Sequence, residues 1–562
     1  MLRTKVMTRS SIFFHHNITK ETHMPSDKNK LSVIFIFLIL IAIILAINKK
    51  LKSQIYEDSG VYPDDQTITI NLSDQPQIPW KQVDTSTYVV ESFSAAVHGN
   101  LVSFNGTFNE STDSNSLLEK FFCDGKICYA NLKKGIYFHN EREVTAYDIE
   151  FSFIRQLLTF SNDNFAKTIL DDLVGIDNLK KENIKKIIVD EYLNYPSGLI
   201  SGIKVKDKYN IIFNLKNENS HFFQKVSTGY LPIVPVEEFD ETYLNWKHYP
   251  IGFGKYKVVK IDLHNYVFVV ERVSDKEDIP KFIRFIFDQR DIGDIKGYIG
   301  LNKQNPNFDG HIIFPDIYSS AGFLFNFKTE LGANKNFRKA ISLALDRQRI
   351  SKSSPYGEFV ADDQLLPASG WQKNYRAEIP VQKRNIEKAK SLLSTIPENL
   401  WKDKVFNVHT FWPTSRDLNQ EPYIHEIKEQ LKEIGIQINF INTDMNYTKF
   451  KKDDKNVLWW SGFDTSKTDP NSNFAFFKKG SFFDNIYPDD PYLDKLFDDA
   501  TKNLSKSPIF TRQLSQYFTE NQIMVVVFQV RISFLYRKKR ISSFGNQYNP
   551  IKVLVWELKL NK

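Results

Sequence analysis

The residues that could do chemistry are few and lie far apart in the sequence. His139, in YFHNE, has no nucleophile and no second metal ligand near it, and we interpret it as a structural histidine. The pairs Asp453-Asp454 and Asp489-Asp490 lie in polar surroundings that are typical of solvated turns. The sequence contains no GxSxG, HExxH, Walker or dinucleotide-binding glycine motif. These patterns favour a binding protein without cofactor or metal over an enzyme.

The cysteines of the chain, Cys123 and Cys128, flank a turn signal in FFCDGKICYA and predict a β-hairpin. If Gly125-Lys126 form a two-residue loop, the cysteines face each other at a separation that suits a disulfide. If Asp124-Gly125 form the loop, the pair is diagonal and fits poorly. A lone CxxxxC pair also lacks two of the four ligands of a structural zinc site. We therefore expect a disulfide rather than free thiols, which is consistent with an oxidising compartment.

Surplus positive charge is confined to the N-terminal part of the chain. The net charge is +7, and residues 1–52 hold nine Lys and Arg against two acidic residues. The rest of the chain therefore carries as many acidic as basic side chains, 65 of each. A nucleic-acid-binding protein needs surplus positive charge to neutralise phosphates. We therefore exclude nucleic acid as a partner.

One hydrophobic run, Leu31–Ile47, is bracketed by basic segments. Its seventeen residues include a single polar side chain, Ser32, and would span roughly 25 Å as a helix. This length is short for a transmembrane helix and long for the hydrophobic part of a signal peptide. The run is therefore either a membrane anchor or a cleaved signal. The positive charge of the tail, residues 1–30, predicts that this tail stays in the cytoplasm and that the body lies outside. Residues 48–65 form a polar linker.

The elements that must position any site are both strands and helices, which predicts an α/β fold. A helix is predicted to begin near Thr145, with Asp148 in the position of a capping box. Another predicted helix ends at Gly435 and leads directly into the strand pattern IQINFI. Such helix–glycine–strand units are typical of α/β proteins. The helix that ends at Gly435 covers Tyr423–Ile434. Further strands are predicted within 67–72, 129–139, 254–271, 524–541 and 553–560, and further helices over Phe337–Ile350 and Glu387–Leu393.

Four motifs in collinear order resemble family-five extracellular solute-binding proteins, the oligopeptide, dipeptide and nickel binders of ABC importers. They are LKKGIYFHNEREVTAYDIEFSFIRQL at 132–157, PIGFGKY at 250–256, the segment from FNFKTEL to LALDRQRI at 325–350, and LKEIGI at 431–436. The similarity extends from about residue 66 to 562. The matching residues are Leu132, Gly135, Phe138, His139, Val144, Thr145, Ala146, Asp148, Phe151, Ser152, Arg155, Pro250, Gly252, Gly254, Tyr256, Asn326, Arg338, Ala340, Ala344, Asp346 and Arg347.

The resemblance implies a two-lobed periplasmic-binding-protein fold of the peptide-binding class, with an extra domain. Lobe one would hold residues 66–318, lobe two residues 319–523, and residues 524–562 would be strands that return to lobe one. The protein would be a monomeric substrate-binding component of an ABC importer on the periplasmic side of the inner membrane. Its lobes would close over a peptide-like solute by hinge motion and deliver that solute to a membrane permease.

Peptide binders of this family hold the ligand backbone as an added strand and pair its ammonium with an aspartate in a W-x-x-D segment. The corresponding stretch here is VLWWSGFDTSKTDPNSNF, residues 457–474. Counting from Trp460, the aspartate position holds Phe463, and Asp464 follows one residue later. A short insertion would restore Asp464 to that role. Trp459 and Trp460 are expected either to line the cavity or to form a buried strand pair.

Two other classes of function compete with the import of a peptide. The first is a non-transport envelope sensor or interaction protein that keeps the solute-binding fold, favoured by the anchor-like N-terminal run and the altered W-x-x-D segment. The second is an enzyme, for which the sequence offers no catalytic constellation. Within the transport class, nickel, haem, sugar and antimicrobial peptides are the alternatives to a peptide ligand.

Overall fold

The structure is a computed structural model that describes the chain between residues 62 and 561, apart from the segments given below. The basic tail, the run Leu31–Ile47 and most of the linker lie outside the described residues. Among the described residues, no helix is both long enough and apolar enough to cross a membrane. The segments that are not described are 73–90, 103–115, 160–168, 179–186, 189–193, 196, 228–230, 244, 263–264, 266, 275–277, 288–291, 298–305, 355–356, 411–417, 442–452, 465–468, 480–483, 503–506, 546 and 548–552.

Strands form most of the framework, in agreement with the content of aromatic and β-branched residues. They are β1 (Thr67–Asn71), β2 (Leu118–Asp124), β3 (Ile127–Leu132), β4 (Ile187–Ile188), β5 (Asn194–Tyr195), β6 (Ile203–Asp207), β7 (Asn210–Asn214), β8 (Tyr256–Asp262), β9 (Val267–Arg272), β10 (Phe282–Ile286), β11 (Ile295–Gly297), β12 (Gly310–Phe325), β13 (Phe359–Val360), β14 (Val405–Thr410), β15 (Gln437–Ile441), β16 (Leu458–Asp464), β17 (Met524–Tyr536), β18 (Ile541–Ser543) and β19 (Lys559–Leu560).

The helices are short and cluster in the second half of the chain. They are α1 (Glu91–His98), α2 (Ala146–Thr159), α3 (Phe222–Val226), α4 (Glu330–Ala333), α5 (Lys335–Ala344), α6 (Arg347–Ser353), α7 (Ile386–Leu393), α8 (Glu398–Trp401), α9 (Pro422–Lys432), α10 (Pro491–Lys502) and α11 (Ser507–Asn521).

One large mixed sheet runs through the described residues, in the order β15-β14-β16-β12-β17-β11-β1-β10-β9-β8, with β13 also paired to β17. β12 and β17 are its longest strands and lie antiparallel to each other near its middle. Nearly every side chain of β17 is buried, because this strand has neighbours along both edges and apolar clusters over both faces.

β12 and β17 pass from one hydrophobic core to another. Phe314 of β12 and Phe534 of β17 belong to the core around β1, β8, β9 and β10. Further along the same strands, Phe323 and Phe528 belong to the core beneath α5, α9 and β14–β16. The pairing between the strands shifts register on either side of Ile317, close to the point where they change cores. Bulges of this kind bend a strand.

A separate four-stranded sheet, in the order β2-β3-β7-β6, covers a core built from residues 101–233. Its first hairpin turns through Gly125 and Lys126, which is the first of the two predicted loops. Cys123 and Cys128 are therefore directly opposite each other and are joined by a disulfide.

Several predicted elements are confirmed. The helix α2 follows Thr145, whose backbone N–H donates to the carboxylate of Asp148 over 2.8 Å, as a capping box requires. The helix α9 is followed by Gly435 in the left-handed region, with φ of +82°, and then by β15. The helix predicted over Glu387–Leu393 forms as α7, and the paired strands predicted over 254–271 form as β8 and β9.

Two predicted elements are wrong in detail. The single helix expected over Phe337–Ile350 is two helices, α5 and α6, because Asp346 leaves the helical conformation and caps α6 by accepting from the N–H of Arg349. The strand expected over 553–560 is reduced to β19, preceded by a 3₁₀ turn at Val555–Glu557.

The first two family-like motifs meet at one joint in the structure. The backbone N–H of His139 donates to Gly252 O, and its ring Nε2 lies 2.9 Å from Gly254 O. A side chain on either glycine would lie about 2.2 Å from a backbone oxygen of α1, Val97 O for Gly252 and Ala96 O for Gly254. Only glycine allows this close approach. Burial lowers the pKa of His139 to about 4, so its ring is neutral and structural, as expected.

Candidate functional site

The candidate ligand residues lie on β16, in the middle of one half of the large sheet. β16 pairs with β12 along its whole length, from Phe325↔Leu458 to Ser319↔Asp464. Within the described residues, its pairing with β14 on the other edge extends to Thr410↔Trp460. Among the described residues, Ser461–Asp464 of β16 are paired with β12 and not with β14.

Strand alternation separates the candidate residues into two pairs. Trp459 and Phe463 lie on one face of the sheet, in the cluster that also holds Leu324 and Phe477. Trp460 and Asp464 lie on the opposite face. The structure therefore does not bring all four predicted residues together.

The two tryptophans are core residues in this structure. Trp459 has no exposed surface, and its ring lies 5.2 Å from that of His409. Trp460 is 8% exposed and packs against the rings of Phe323 and Phe440, at centroid distances of 5.2 and 5.6 Å. This arrangement is the second of the alternatives stated for them, a buried strand pair. They hold β16 in place and so position the residues that follow.

Asp464 lies where the buried face of β16 opens to solvent. Along this face Trp460 is buried, Gly462 is exposed and Asp464 is half-buried. The strand β12 presents only small side chains beside them, since Ser319 is opposite Asp464 and Ala321 is opposite Gly462. We call Ser319, Ala321, Gly462 and Asp464 the β16 shelf.

The β16 shelf combines an accessible main chain with a carboxylate. A Cβ on Gly462 would lie 3.3 Å from Ser319 Oγ, so any side chain there would cover the shelf. A glycine inside a strand often marks a place where another backbone approaches closely. Sequence reasoning missed Ser319 and Ala321, although the run of small residues at 319–322, before FLFNF, was a usable signal.

A second pair that sequence reasoning missed joins distant parts of the chain. His221 Nδ1, at the start of α3, lies 3.4 Å from Asp469 Oδ1, shortly after β16, and both side chains are buried. Next to it, the backbone N–H of Ser220 donates to Thr501 O. Burial lowers the pKa of His221, while the nearby Asp469 carboxylate opposes that shift. No sequence pattern connects two residues so far apart in the chain.

The described residues offer no group of three or more His, Cys, Asp or Glu that could hold a metal ion. The β16 shelf offers two kinds of contact to a ligand. The main chain at Gly462 can bond to an extended backbone, and the carboxylate of Asp464 can pair with a cationic group.

Comparison with known proteins identifies the family. Residues 117–485 match the family described as bacterial extracellular solute-binding proteins, family 5 middle. The oligopeptide-binding protein AppA of Bacillus subtilis (strain 168) is 25% identical over 350 residues, which are 56% of this chain and 58% of that protein. The alignment thus spans less than two thirds of that relative's length.

Solved structures share the fold. DppA from Helicobacter pylori, a periplasmic binding protein in complex with the peptide STSA, has a TM-score of 0.66 at 14% identity and covers 88% of this chain and 98% of its own. OppA from Haemophilus influenzae, in complex with the peptide RPPGFSPFR, also has a TM-score of 0.66, at 17% identity over 88% and 99% of the two chains. The match of the family model over most of the described residues, together with this shared fold, shows that the chain belongs to the family 5 bacterial extracellular solute-binding proteins.

Proposed function

We propose that this protein is the substrate-binding component of an ABC importer and captures a peptide-like solute between two lobes. Membership of a solute-binding family agrees with the expectation that the chain is not an enzyme. The related oligopeptide-binding protein and the two peptide complexes favour a peptide as the ligand class. The observation that carries the proposal is the β16 shelf, which places a carboxylate beside an exposed glycine at the open end of a buried strand.

The β16 shelf suits the common part of every peptide. An extended ligand laid along Ser461 and Gly462 would bond to main-chain groups, which are the same whatever the peptide sequence. The Asp464 carboxylate would pair with the ligand's α-ammonium, and closure of the lobes would shield that pair from water. Because these contacts use the ligand's main chain and its terminal charge, the protein would bind peptides with different side chains.

Closure is proposed to occur around β12 and β17. Lobe one would comprise residues 66–318, lobe two residues 319–523, and residues 524–562 would return to lobe one. The register shifts beside Ile317 and the change of core along both strands support a hinge at this position. A ligand that contacts both lobes would shift the population toward the closed form.

The location of the protein is part of the same proposal. Residues 31–47 would anchor the chain in the inner membrane or act as its signal segment, so that the body faces the periplasm and meets the permease there. Protease added to spheroplasts should then digest the body and spare residues 1–30. Protection of the body would overturn both this topology and the transport role.

Mass analysis of the ligand that co-purifies with residues 62–562 tests the ligand class. This part contains all of the described cores, so it keeps the described fold. Peptides released on denaturation, and absent after refolding in peptide-free buffer, are the expected result. A cleft that carries no ligand and binds no member of a mixed peptide library would contradict the proposal and favour the envelope-sensor alternative. A nickel complex, haem or a sugar would keep the transport role but replace the peptide.

A further inference from the structure

The outer face of the four-stranded sheet departs from the pattern of a solvated sheet. Antiparallel sheets with one face in water normally place polar side chains on that face. Here the registers place Phe122 opposite Tyr129, Tyr129 opposite Ile212, and Ile212 opposite Lys204, so that an apolar row crosses three of the four strands. Phe122 is 58% exposed, and the neighbouring Ile127 is 38% exposed.

The apolar row is held rigidly in position. The rings of Phe122 and Tyr129 stack at a centroid distance of 5.0 Å. The next pair of residues along the same hairpin is Cys123 and Cys128, which the disulfide joins. The exposed Phe122 and the half-buried Tyr129 are thus presented on a cross-linked hairpin and need little ordering on binding.

Positive charge surrounds the apolar row. Residues 118–135 and 203–216, which form the sheet and its turns, contain eight lysines and three acidic residues, an excess of five positive charges. The body as a whole carries equal numbers of basic and acidic residues, so the rest of it has a matching negative excess. The lysines of the sheet and its turns that are exposed are Lys120, Lys126, Lys134, Lys204, Lys206 and Lys208.

A shallow depression of about 620 Å³ lies at the end of the same sheet. Lys120, Lys134 and Lys208 line it together with Glu119 and Asp207. The ammonium group of Lys134 lies 5.1 Å from the centre of the Tyr209 ring. These lysines therefore lie to one side of the apolar row and do not interrupt it.

We propose that this face, defined by Phe122, Ile127, Tyr129 and Ile212 with the exposed lysines around them, is a docking surface for an anionic phospholipid membrane. Aromatic and aliphatic side chains enter the interfacial layer of a bilayer, while lysines around them reach the phosphate groups. The local positive excess is complementary to the negative surface of anionic lipids. The inference goes beyond the proposed function and does not depend on which solute is bound.

Sedimentation of residues 62–562 with lipid vesicles tests the proposal, since this part lacks the N-terminal hydrophobic run. We expect binding to vesicles of equal parts phosphatidylcholine and phosphatidylglycerol. Binding to phosphatidylcholine alone should be much weaker, and binding to the mixed vesicles should fall as salt is raised. Equal binding to both vesicles, or none to the mixed vesicles, would overturn the proposal. Self-association through the same face in analytical ultracentrifugation would also overturn it.

Two variants and two matched controls locate the surface. Replacing both lysines of β6, as Lys204→Glu with Lys206→Glu, should weaken binding to the mixed vesicles about tenfold or more. Phe122→Ser should weaken binding at every salt concentration. The control for Phe122→Ser is Tyr492→Ser, at an aromatic residue that is 55% exposed. The control for the lysine pair is Lys352→Glu with Lys373→Glu, at exposed lysines. All three control positions lie in the second half of the chain. Controls that weaken binding as much as the variants would contradict the assignment. Circular dichroism should show every protein folded.

Discussion

Asp464 is the single residue on which the proposed chemistry of binding depends most. It is half-buried at the open end of β16, opposite the buried Ser319. In a closed cleft its carboxylate would be removed from water together with the ligand ammonium. Removing one member of such a pair leaves the other charge buried without compensation.

Asp464→Asn keeps the shape of the side chain and removes its charge. We expect peptide binding to weaken by about 3–5 kcal/mol, which is roughly 10²–10³-fold or more in Kd. The melting temperature of the ligand-free protein should hardly change, since the carboxylate is in contact with solvent when the cleft is open. Isothermal titration with a co-purified peptide, alongside melting curves, measures both quantities.

An acetylated peptide provides the internal control for Asp464. Acetylation removes the ammonium, so the wild type should lose about as much affinity as the variant does, and the two changes together should cost little more than either alone. Asp454→Asn, at an exposed aspartate just before β16, should leave affinity unchanged. If Asp464 only stabilises its turn, the variant will instead melt lower and bind peptide as tightly as the wild type.

At the scale of helices and strands, the arginines of the third motif attach helices to the sheet. Arg347, at the start of α6, is 3% exposed and donates to Val526 O of β17 over 2.8 Å and to Ser342 Oγ of α5 over 3.0 Å. Arg338 of α5 donates to Gln522 O, just before β17. These residues act through packing and main-chain bonds.

Arg347→Met should therefore lower the stability of the protein. Loss of these charge-assisted bonds, with carbonyl groups left unsatisfied, should cost about 2–4 kcal/mol in the free energy of unfolding. Arg349→Met is the matched control, because that side chain is 62% exposed and pairs with Glu426 at the surface, where a pair contributes no more than about 1 kcal/mol. Urea unfolding measures both variants. An equal loss in the two would contradict the role given to Arg347.

The hairpin of β2 and β3 makes a separate prediction. Replacing Cys123 and Cys128 together by serine should lower the free energy of unfolding by only about 2 kcal/mol, because the loop that the disulfide closes is short. Urea unfolding of the double variant measures that loss. Alkylation and mass analysis of wild-type protein isolated without reductant should find no reactive thiol. Two freely alkylated cysteines would contradict the disulfide.

Features of the fold that depend on interactions between residues close in sequence could be predicted, and features that depend on distant residues could not. Caps, turns and periodicity are local, so the start of α2, the end of α9 and the hairpin were predictable. The division of Phe337–Ile350 into two helices could not be predicted. Ala344 and Arg347 continue the helical spacing, whereas Asp346 interrupts the helix and caps the next one. The candidate site was harder to predict than the fold. The face of the sheet on which each β16 residue lies depends on the pairing of β16 with β12, which is more than 130 residues earlier in the chain. Motif spacing counted from Trp460 gave Phe463, with Asp464 one residue later, and it could not show that both tryptophans are buried.

At the scale of the whole molecule, His221 and Asp469 make a contact that joins α3, in the first half of the chain, to the segment after β16. We expect the contact to form on closure of the lobes and to break on opening. Burial holds the pKa of His221 below its ordinary value of 6.5 while this contact is made. The closed form then binds fewer protons than the open form, so acidification favours opening.

Peptide affinity should therefore fall as the pH is lowered through 6.5, and His221→Asn should reduce that dependence. The Asp469 carboxylate opposes the effect of burial, so the affinity of the wild type should change gradually. His425→Asn, at an exposed histidine of α9, should leave the pH profile unchanged. Titrations at several pH values decide the matter, and a profile that is identical in His221→Asn and wild type would sink this account.

The position of β17 in the chain has a consequence for synthesis. This strand begins only at Met524, yet it supplies Val525, Phe528 and Phe534 to two different cores, and it lies between β12 and β11 in the sheet. Neither core can be completed from the polypeptide that precedes it. A nascent chain should consequently remain incompletely folded until β17 has left the ribosome, since these contacts are highly non-local. A chain that must be threaded through a translocation channel would gain from such late folding.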